Sequence, residues 1–308
     1  MERLPIIDLG PTFTSDAGRS AAAAAIGAAA RDTGFFYVAN HGIAPQLVQG
    51  VFAAANRFFD LPLSEKMQVA KKPGFRGYEA LEAQQLDQHA PPDLKESFNM
   101  AHDFGARTPE PIGNIWPKLP GFHEALDAYY LPMLDLGRHV MQLLARSLGE
   151  PDDRFDAAFR APSASLRLLR YPPQPAGAPQ LGAGAHTDWG AITLLAQDDS
   201  GGLEVEDAHG EWLRATPVPD TFVVNLGDMI ARWTNGRYHS NPHRVANVHT
   251  GRNRHSIVLF FNPEYYTPVA CLPTCLENGV AKYPACTAGE HIAQRYRESR
   301  QHATLSRG

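Results

Sequence analysis

Ala191-Ile192-Thr193-Leu194-Leu195-Ala196 is a short apolar run, closed by Asp199-Ser200-Gly201-Gly202 and followed at once by a second run, Leu203-Glu204-Val205. Such residues suit a pleated, half-buried surface, and paired glycines supply the backbone conformations that tight turns demand. The same grammar recurs on both sides. Apolar or alternating runs stand at residues 166–171, 221–226, 244–248 and 256–261, with Asp207-Ala208-His209-Gly210 and Thr250-Gly251-Arg252-Asn253 as punctuation. Many short strands at this spacing predict an antiparallel sandwich or jelly roll.

The flanks read differently. Residues 20–31 are rich in alanine, the best helix former, and Phe35-Phe36-Tyr37-Val38-Ala39 is a β-type run closed by Asn40-His41-Gly42. Leu47, Val48, Val51, Phe52, Ala55, Phe58 and Phe59 then recur at the spacing of a helix with one buried face. Residues 71–120 dissolve into prolines, glycines and charges, so an irregular span is expected there, of the kind that is functional or mobile in a compact domain. A helical pattern over 122–148 is expected to kink at Pro132, and Thr287-Ala288-Gly289-Glu290 has capping-box form. The layout is mainly β with flanking helices. A helix-rich region (1–163), a β core (164–262) and a closing segment with a helix (263–308) are expected to make one domain of 308 residues.

Composition narrows the function. Hydrophobic residues at 44% and charged residues at 20% rule out wholesale disorder. A net charge of −5 gives no bulk attraction to nucleic acid or to an anionic membrane. No apolar stretch approaches the roughly 20 residues that span a bilayer, and Met1-Glu2-Arg3-Leu4-Pro5 has no apolar core of a secretion signal. Cys271, Cys275 and Cys286 are too few for a disulfide framework, and nothing nearby completes a zinc site around Cys271-x-x-x-Cys275. Reduced thiols and a cytoplasmic protein are expected.

Among 13 histidines, His186 stands out in Gly184-Ala185-His186-Thr187-Asp188-Trp189-Gly190. On a strand, residues i and i+2 share a face, which would set His186 and Asp188 side by side. With one distant histidine they would complete a 2-His-1-carboxylate triad, which holds Fe(II) and leaves positions open for co-substrate and O2. The pair alone is weak, because chance supplies such spacings in a chain with 33 acids, and His209-Gly210-Glu211 is a second instance inside a turn. Downstream stand Asn235-Gly236-Arg237-Tyr238-His239-Ser240-Asn241-Pro242-His243-Arg244-Val245 and Arg254-His255-Ser256. Alternation puts Arg254 and Ser256 on one face, where a guanidinium fork beside a hydroxyl suits a carboxylate.

The order His186-x-Asp188, His243, Arg254-x-Ser256 resembles the isopenicillin N synthase-like family of Fe(II)/2-oxoglutarate oxygenases. Leu4-Pro5-Ile6-Ile7-Asp8-Leu9, Gly34 through Ile43, Arg170-Tyr171-Pro172-Pro173 and Val223-Val224-Asn225-Leu226-Gly227-Asp228 resemble further segments of that family. The resemblance implies a double-stranded β-helix (jelly-roll) core. It makes His186, Asp188 and His243 iron ligands, with His239 the rival for the third place. Arg254 and Ser256 would hold the distal carboxylate of 2-oxoglutarate, with Tyr171 touching the same co-substrate. Asn235, Arg237 and Asp228 are expected to shape the turn, and His41 to sit in one. Leu169 departs from the plant members, which carry Asn there.

The expected activity is hydroxylation, or its desaturating and ring-closing variants, of a small molecule with O2, succinate and CO2 being released. One alternative is an oxidase, like isopenicillin N synthase or aminocyclopropanecarboxylate oxidase, that uses O2 without 2-oxoglutarate; there the Arg-x-Ser pair grips the substrate. A distant one is a metal-free β-barrel binding protein. Arg76, Tyr78, Phe98, Trp233 and Phe260 are candidates for lining the substrate site, with packing the competing role for each. Lys95-Glu96-Ser97-Phe98 reads as a solvated turn with one buried aromatic.

Overall fold

The structure, a computed structural model, describes residues 4–87, 90–104, 108, 112–174, 180–207, 209–246 and 251–305, with side chains through residue 298. Met1 to Arg3, Ala208, residues 247–250 and parts of the 71–120 span lie outside the described residues.

The strands of the two main sheets are, in chain order, β1 (Ile6–Asp8), β2 (Phe35–Ala39), β3 (Tyr78–Glu79), β4 (Glu96–Met100), β5 (Ser165–Tyr171) and β6 (Ala183–His186). There follow β7 (Ile192–Gln197), β8 (Leu203–Glu206), β9 (Trp212–Arg214), β10 (Phe222–Leu226), β11 (His243–Val245) and β12 (Arg254–Phe261). An eight-stranded sheet has the order β1-β2-β10-β7-β12-β5-β4-β3, and a four-stranded sheet the order β9-β8-β11-β6. Pairing is antiparallel except at the β1–β2 edge.

Strand alternation divides the larger sheet's residues between two cores. Leu166, Leu168, Leu194, Ala196, Val224, Ile257 and Leu259 pack on the helices α1 (Asp16–Asp32), α2 (Pro45–Phe59) and α3 (Phe122–Ser147). The opposite face carries Tyr37, Leu169, Tyr171, Leu195, Val223 and Val258, which meet Leu203, Val205 and Val245 of the smaller sheet. The space between the sheets is therefore the jelly-roll interior, and it holds the polar residues that matter below.

Local chemistry explains the helix ends. α1 begins four residues earlier than its alanines suggest because Ser15 caps it, its Oγ accepting from the Gly18 amide at 3.0 Å. At its far end Gly34 has φ +70°, and a Cβ there would meet the His239 carbonyl oxygen at 2.2 Å, so only glycine fits. α3 runs through Pro132 as one helix, short of one backbone donor. Past the short α4 (Asp228–Trp233), α5 (Ala288–Leu305) starts with the reciprocal bonds of a capping box: Thr287 N to Glu290 Oε2 at 2.7 Å and Glu290 N to Thr287 Oγ1 at 3.2 Å.

Two expectations are corrected. The 71–120 span is not irregular throughout, since it supplies β3 and β4 to the larger sheet. Nor is 95–98 a solvated turn: Lys95, Glu96, Ser97 and Phe98 are all buried. Glu96 Oε2 takes bonds from Lys66 Nζ at 2.8 Å and the Tyr78 hydroxyl at 2.6 Å, while Arg170 Nε reaches Oε1 at 2.6 Å. Lys95 Nζ pairs with Asp93 at 2.8 Å. Their mutual pairing lets these charges enter the interior, where an unpaired one would be expelled.

Candidate metal centre

His186 ends β6, and His243 opens β11 directly opposite it in the ladder. Asp188 lies two residues past the end of β6, so strand alternation is not what aims it. Its carboxylate is set by β7 and β10 instead: Thr193 Oγ1 donates to Oδ2 at 2.5 Å and Asn225 Nδ2 to the same oxygen at 2.7 Å. Thr193 and Asn225 are themselves cross-strand partners, so one rung of the larger sheet aims this side chain. One ligand-type atom from each of His186, Asp188 and His243 lies within 4.8 Å of the others. The imidazoles stand 4.3 Å apart, and Phe35 meets the His243 ring edge-on at 5.3 Å.

The donor set fits a metal ion. His186 Nδ1 lies 2.7 Å from the Gly184 carbonyl, and His243 Nδ1 lies 3.4 Å from that of Asn241. Assigning the ring protons to these nitrogens leaves both Nε2 lone pairs for the cluster. Both bonds to Asp188 fall on Oδ2, which leaves Oδ1 without a hydrogen bond among the described residues. Burial, and then the His243 charge, push the His186 pKa down to about 3. Burial would raise Asp188, but His243, His186, Asn225 and Thr193 outweigh it and hold the carboxyl below its ordinary value. At neutral pH the site offers a neutral imidazole and a carboxylate, the forms that bind metal.

Arg254 and Tyr171 face each other across the β12–β5 pair, with the guanidinium 4.8 Å over the phenol ring. Arg254 Nε is anchored on the Gly201 carbonyl at 2.6 Å, while its terminal nitrogens make only long bonds of 3.4 Å to Ser256 Oγ and Gln197 Oε1. Arg254, Ser256 and Tyr171 are all buried. A guanidinium so enclosed, with its outward donors weakly used, is a carboxylate receptor in form.

Other candidates fall elsewhere. His209 and His239 are exposed and stand outside the cluster, while His41 Nδ1 accepts from the Ile43 amide within a turn. Tyr78, Phe98 and Trp233 pack in the helix-side core. Arg76 bonds the Ile112 carbonyl, and Phe260 is the one of the five on the interior face. Asn235 does more than shape a turn: it holds the closing segment through Val280 O at 3.1 Å and Lys282 N at 2.7 Å. Asp228 accepts from Ser240 at 2.8 Å and pairs with Arg295 of α5 at 3.0 Å, and Arg295 also reaches Thr187, between the two site residues. A separate hollow of about 480 Å3 lies beyond the outer face of β7 and β10, lined by His41, Phe52 and Phe222 among others, and includes no residue of the cluster.

Comparison with known proteins decides the family. A family model described as the 2OG-Fe(II) oxygenase superfamily matches residues 162–263, and one described as the N-terminal part of the non-haem dioxygenase in morphine synthesis matches 4–119. The 2-oxoglutarate-Fe(II) type oxidoreductase hxnY of Emericella nidulans is 38% identical over 96% of this chain and 90% of its own. The chain belongs to the 2OG-Fe(II) oxygenase superfamily. Homoarginine-6-hydroxylase of Oryza sativa is a further oxygenase relative, 35% identical over 95% of this chain and 96% of its own. The solved structure of a full-length Neurospora crassa protein in complex with alpha-KG and thymine superposes with a TM-score of 0.87 at 30% identity, covering 96% of this chain and 97% of that one. This 2OG-Fe(II) oxygenase therefore uses Fe(II) and 2-oxoglutarate, and the relatives favour that reading over the oxidase and binding-protein alternatives.

Proposed function

We propose that this chain binds Fe(II) through His186, Asp188 and His243 and 2-oxoglutarate through Arg254, Ser256 and Tyr171, and that residues 1–308 work as one oxygenase domain on a small organic substrate in the cytoplasm. The convergence of two imidazoles and one carboxylate within 4.8 Å, with both Nδ1 atoms turned to backbone carbonyls, carries the assignment. Bound there, Fe(II) with 2-oxoglutarate supplies O2-driven oxidation of an unactivated C–H bond, with release of succinate and CO2.

The chain's own residues do the rest. Gly184 and Asn241 orient the imidazoles, and Thr193 and Asn225 hold one carboxylate oxygen so that the other is free. Arg254 and Ser256 receive the distal carboxylate, and Tyr171 walls it from water. Phe35 closes one side of His243. Hydroxylation is the default outcome. The net charge of −5 and the three free thiols support a small-molecule substrate and a reducing compartment rather than a nucleic-acid partner.

Anaerobic titration of the metal-free protein with Fe(II) and 2-oxoglutarate tests the proposal. The weak visible charge-transfer band of the chelate is expected, and is expected to vanish in Arg254→Ala at modest co-substrate concentration. Iron binding with no band at any 2-oxoglutarate concentration would make Arg254 the anchor of something else.

A further inference from the structure

One arginine on the interior wall has donors to spare. Arg167 alternates with Leu166 and Leu168 of the helix-side core, and so shares the interior face with Leu169 and Tyr171. Its Nε bonds Asn99 Oδ1 at 2.5 Å, which fixes the plane of the guanidinium. Among the described residues, neither terminal nitrogen makes a hydrogen bond; the nearest carboxylate, Glu79, stands 3.9 Å away. The contrast with Arg170, three residues on and facing the other way, is direct. That guanidinium is fully engaged by Glu96 and Asp60.

The place is as telling as the valence. The Arg167 guanidinium stands 5.5 Å from the centre of the Phe260 ring. Phe260 is the cross-strand partner of Thr193, whose hydroxyl holds Asp188, so the Arg167–Phe260 pair lies at the metal-cluster end of the β12 interior face. Arg254 and Ser256 occupy the opposite end of that face. Nearby, Glu79 is held at 2.8 Å by Lys71 and Asp93 at 2.8 Å by Lys95, so neither carboxylate depends on Arg167 for its counter-charge.

We propose that Arg167 anchors the substrate, and that the substrate is a small planar-ring carboxylic acid whose carboxylate takes the two free Arg167 donors while its ring lies against Phe260. The proposal rests on the metal and 2-oxoglutarate assignment above. A bidentate guanidinium–carboxylate pair supplies direction as well as charge, and the exposed part of the Phe260 ring beside the guanidinium favours a flat, apolar body. Arg254 cannot serve both acids at once, so a second arginine at the other end of the interior resolves which carboxylate goes where.

The test uses the full chain, anaerobic, saturated with Fe(II) and 2-oxoglutarate, in equilibrium dialysis against benzoate, phenylacetate and cinnamate and their neutral amides. The visible chelate band, recorded first on the wild type, reports the underlying assignment; its absence overturns that assignment whatever the ring acids do. With the band present, at least one acid is expected to bind and its amide to bind at least ~10-fold more weakly. Arg167→Met is expected to weaken the acid by ~10–100-fold, to the amide's level, and Arg167→Lys to fall between, keeping charge but losing the fork. The wild-type acid–amide preference tests the idea even if Arg167→Met does not fold. Equal binding of acid and amide, acid binding untouched in Arg167→Met, or no acid binding below ~10 mM would each overturn it.

Discussion

Asp188 shows at the scale of one residue what the sequence conveys and what it hides. Its type and its spacing from His186 single it out, but the physical reason is different from the one the spacing suggests. The strand ends at His186, and the carboxylate is steered by Thr193 and Asn225 across a rung of another sheet. No local pattern announces such partners, because they are made by tertiary register; Asn225 lies in a segment that resembles the family, yet its role emerges only from the fold. Gln197, beside Arg254, is hidden for the same reason. Asn225→Ala, which frees Asp188 to rotate, is expected to weaken Fe(II) binding by about 10–100-fold while the fold persists. Competition against a fluorescent chelator measures this, and an unchanged affinity would mean that Asn225 does not set the carboxylate.

The strands of residues 164–262 are legible because their apolar runs are short and punctuated by turns. β4 is not, since Lys95 and Glu96 disguise it as surface. Glu96 is buried because Lys66, Arg170 and Tyr78 arrive from the short helix Leu63–Lys66, β5 and β3 to meet it. A periodicity argument sees the charge and cannot see its partner. Removing Glu96 tests this: Glu96→Ala leaves Lys66 buried without a counter-charge and Arg170 with only the exposed Asp60, and is expected to cost about 3–5 kcal/mol. Glu96→Gln keeps hydrogen-bond acceptors and is expected to cost less. Urea unfolding of both variants checks the order; equal, small losses would show β4 to be surface after all. Within 164–262 the exception is β9, a short strand without a strong apolar run.

For the molecule as a whole, partly and fully buried histidines tie stability to pH. Burial is the leading cause that lowers His41, His139, His186 and His291 below the ordinary value of 6.5. Each takes up a proton less readily folded than unfolded, so below about pH 6.5 the unfolded chain binds more protons and gains on the native state. For His186, whose pKa falls to about 3, the loss continues down to that pH, at up to about 1.4 kcal/mol per unit. The metal-free protein is therefore expected to melt at progressively lower temperature as pH is taken from 7.5 to 5.0 in the presence of a chelator. A flat or rising Tm over that window would contradict the burial of these rings. Bound metal should steepen the trend, because protons and metal compete for the same imidazole nitrogens.

Iron stoichiometry tests most directly whether His186, Asp188 and His243 hold one metal ion. Anaerobic equilibrium dialysis with Fe(II), read by elemental analysis, should give one iron per wild-type chain. His186→Ala should lose that iron, while His209→Ala, which changes an exposed turn histidine, should keep it at wild-type affinity. Retention of stoichiometric, tight iron by His186→Ala, or its loss in His209→Ala, would contradict the assignment of the site.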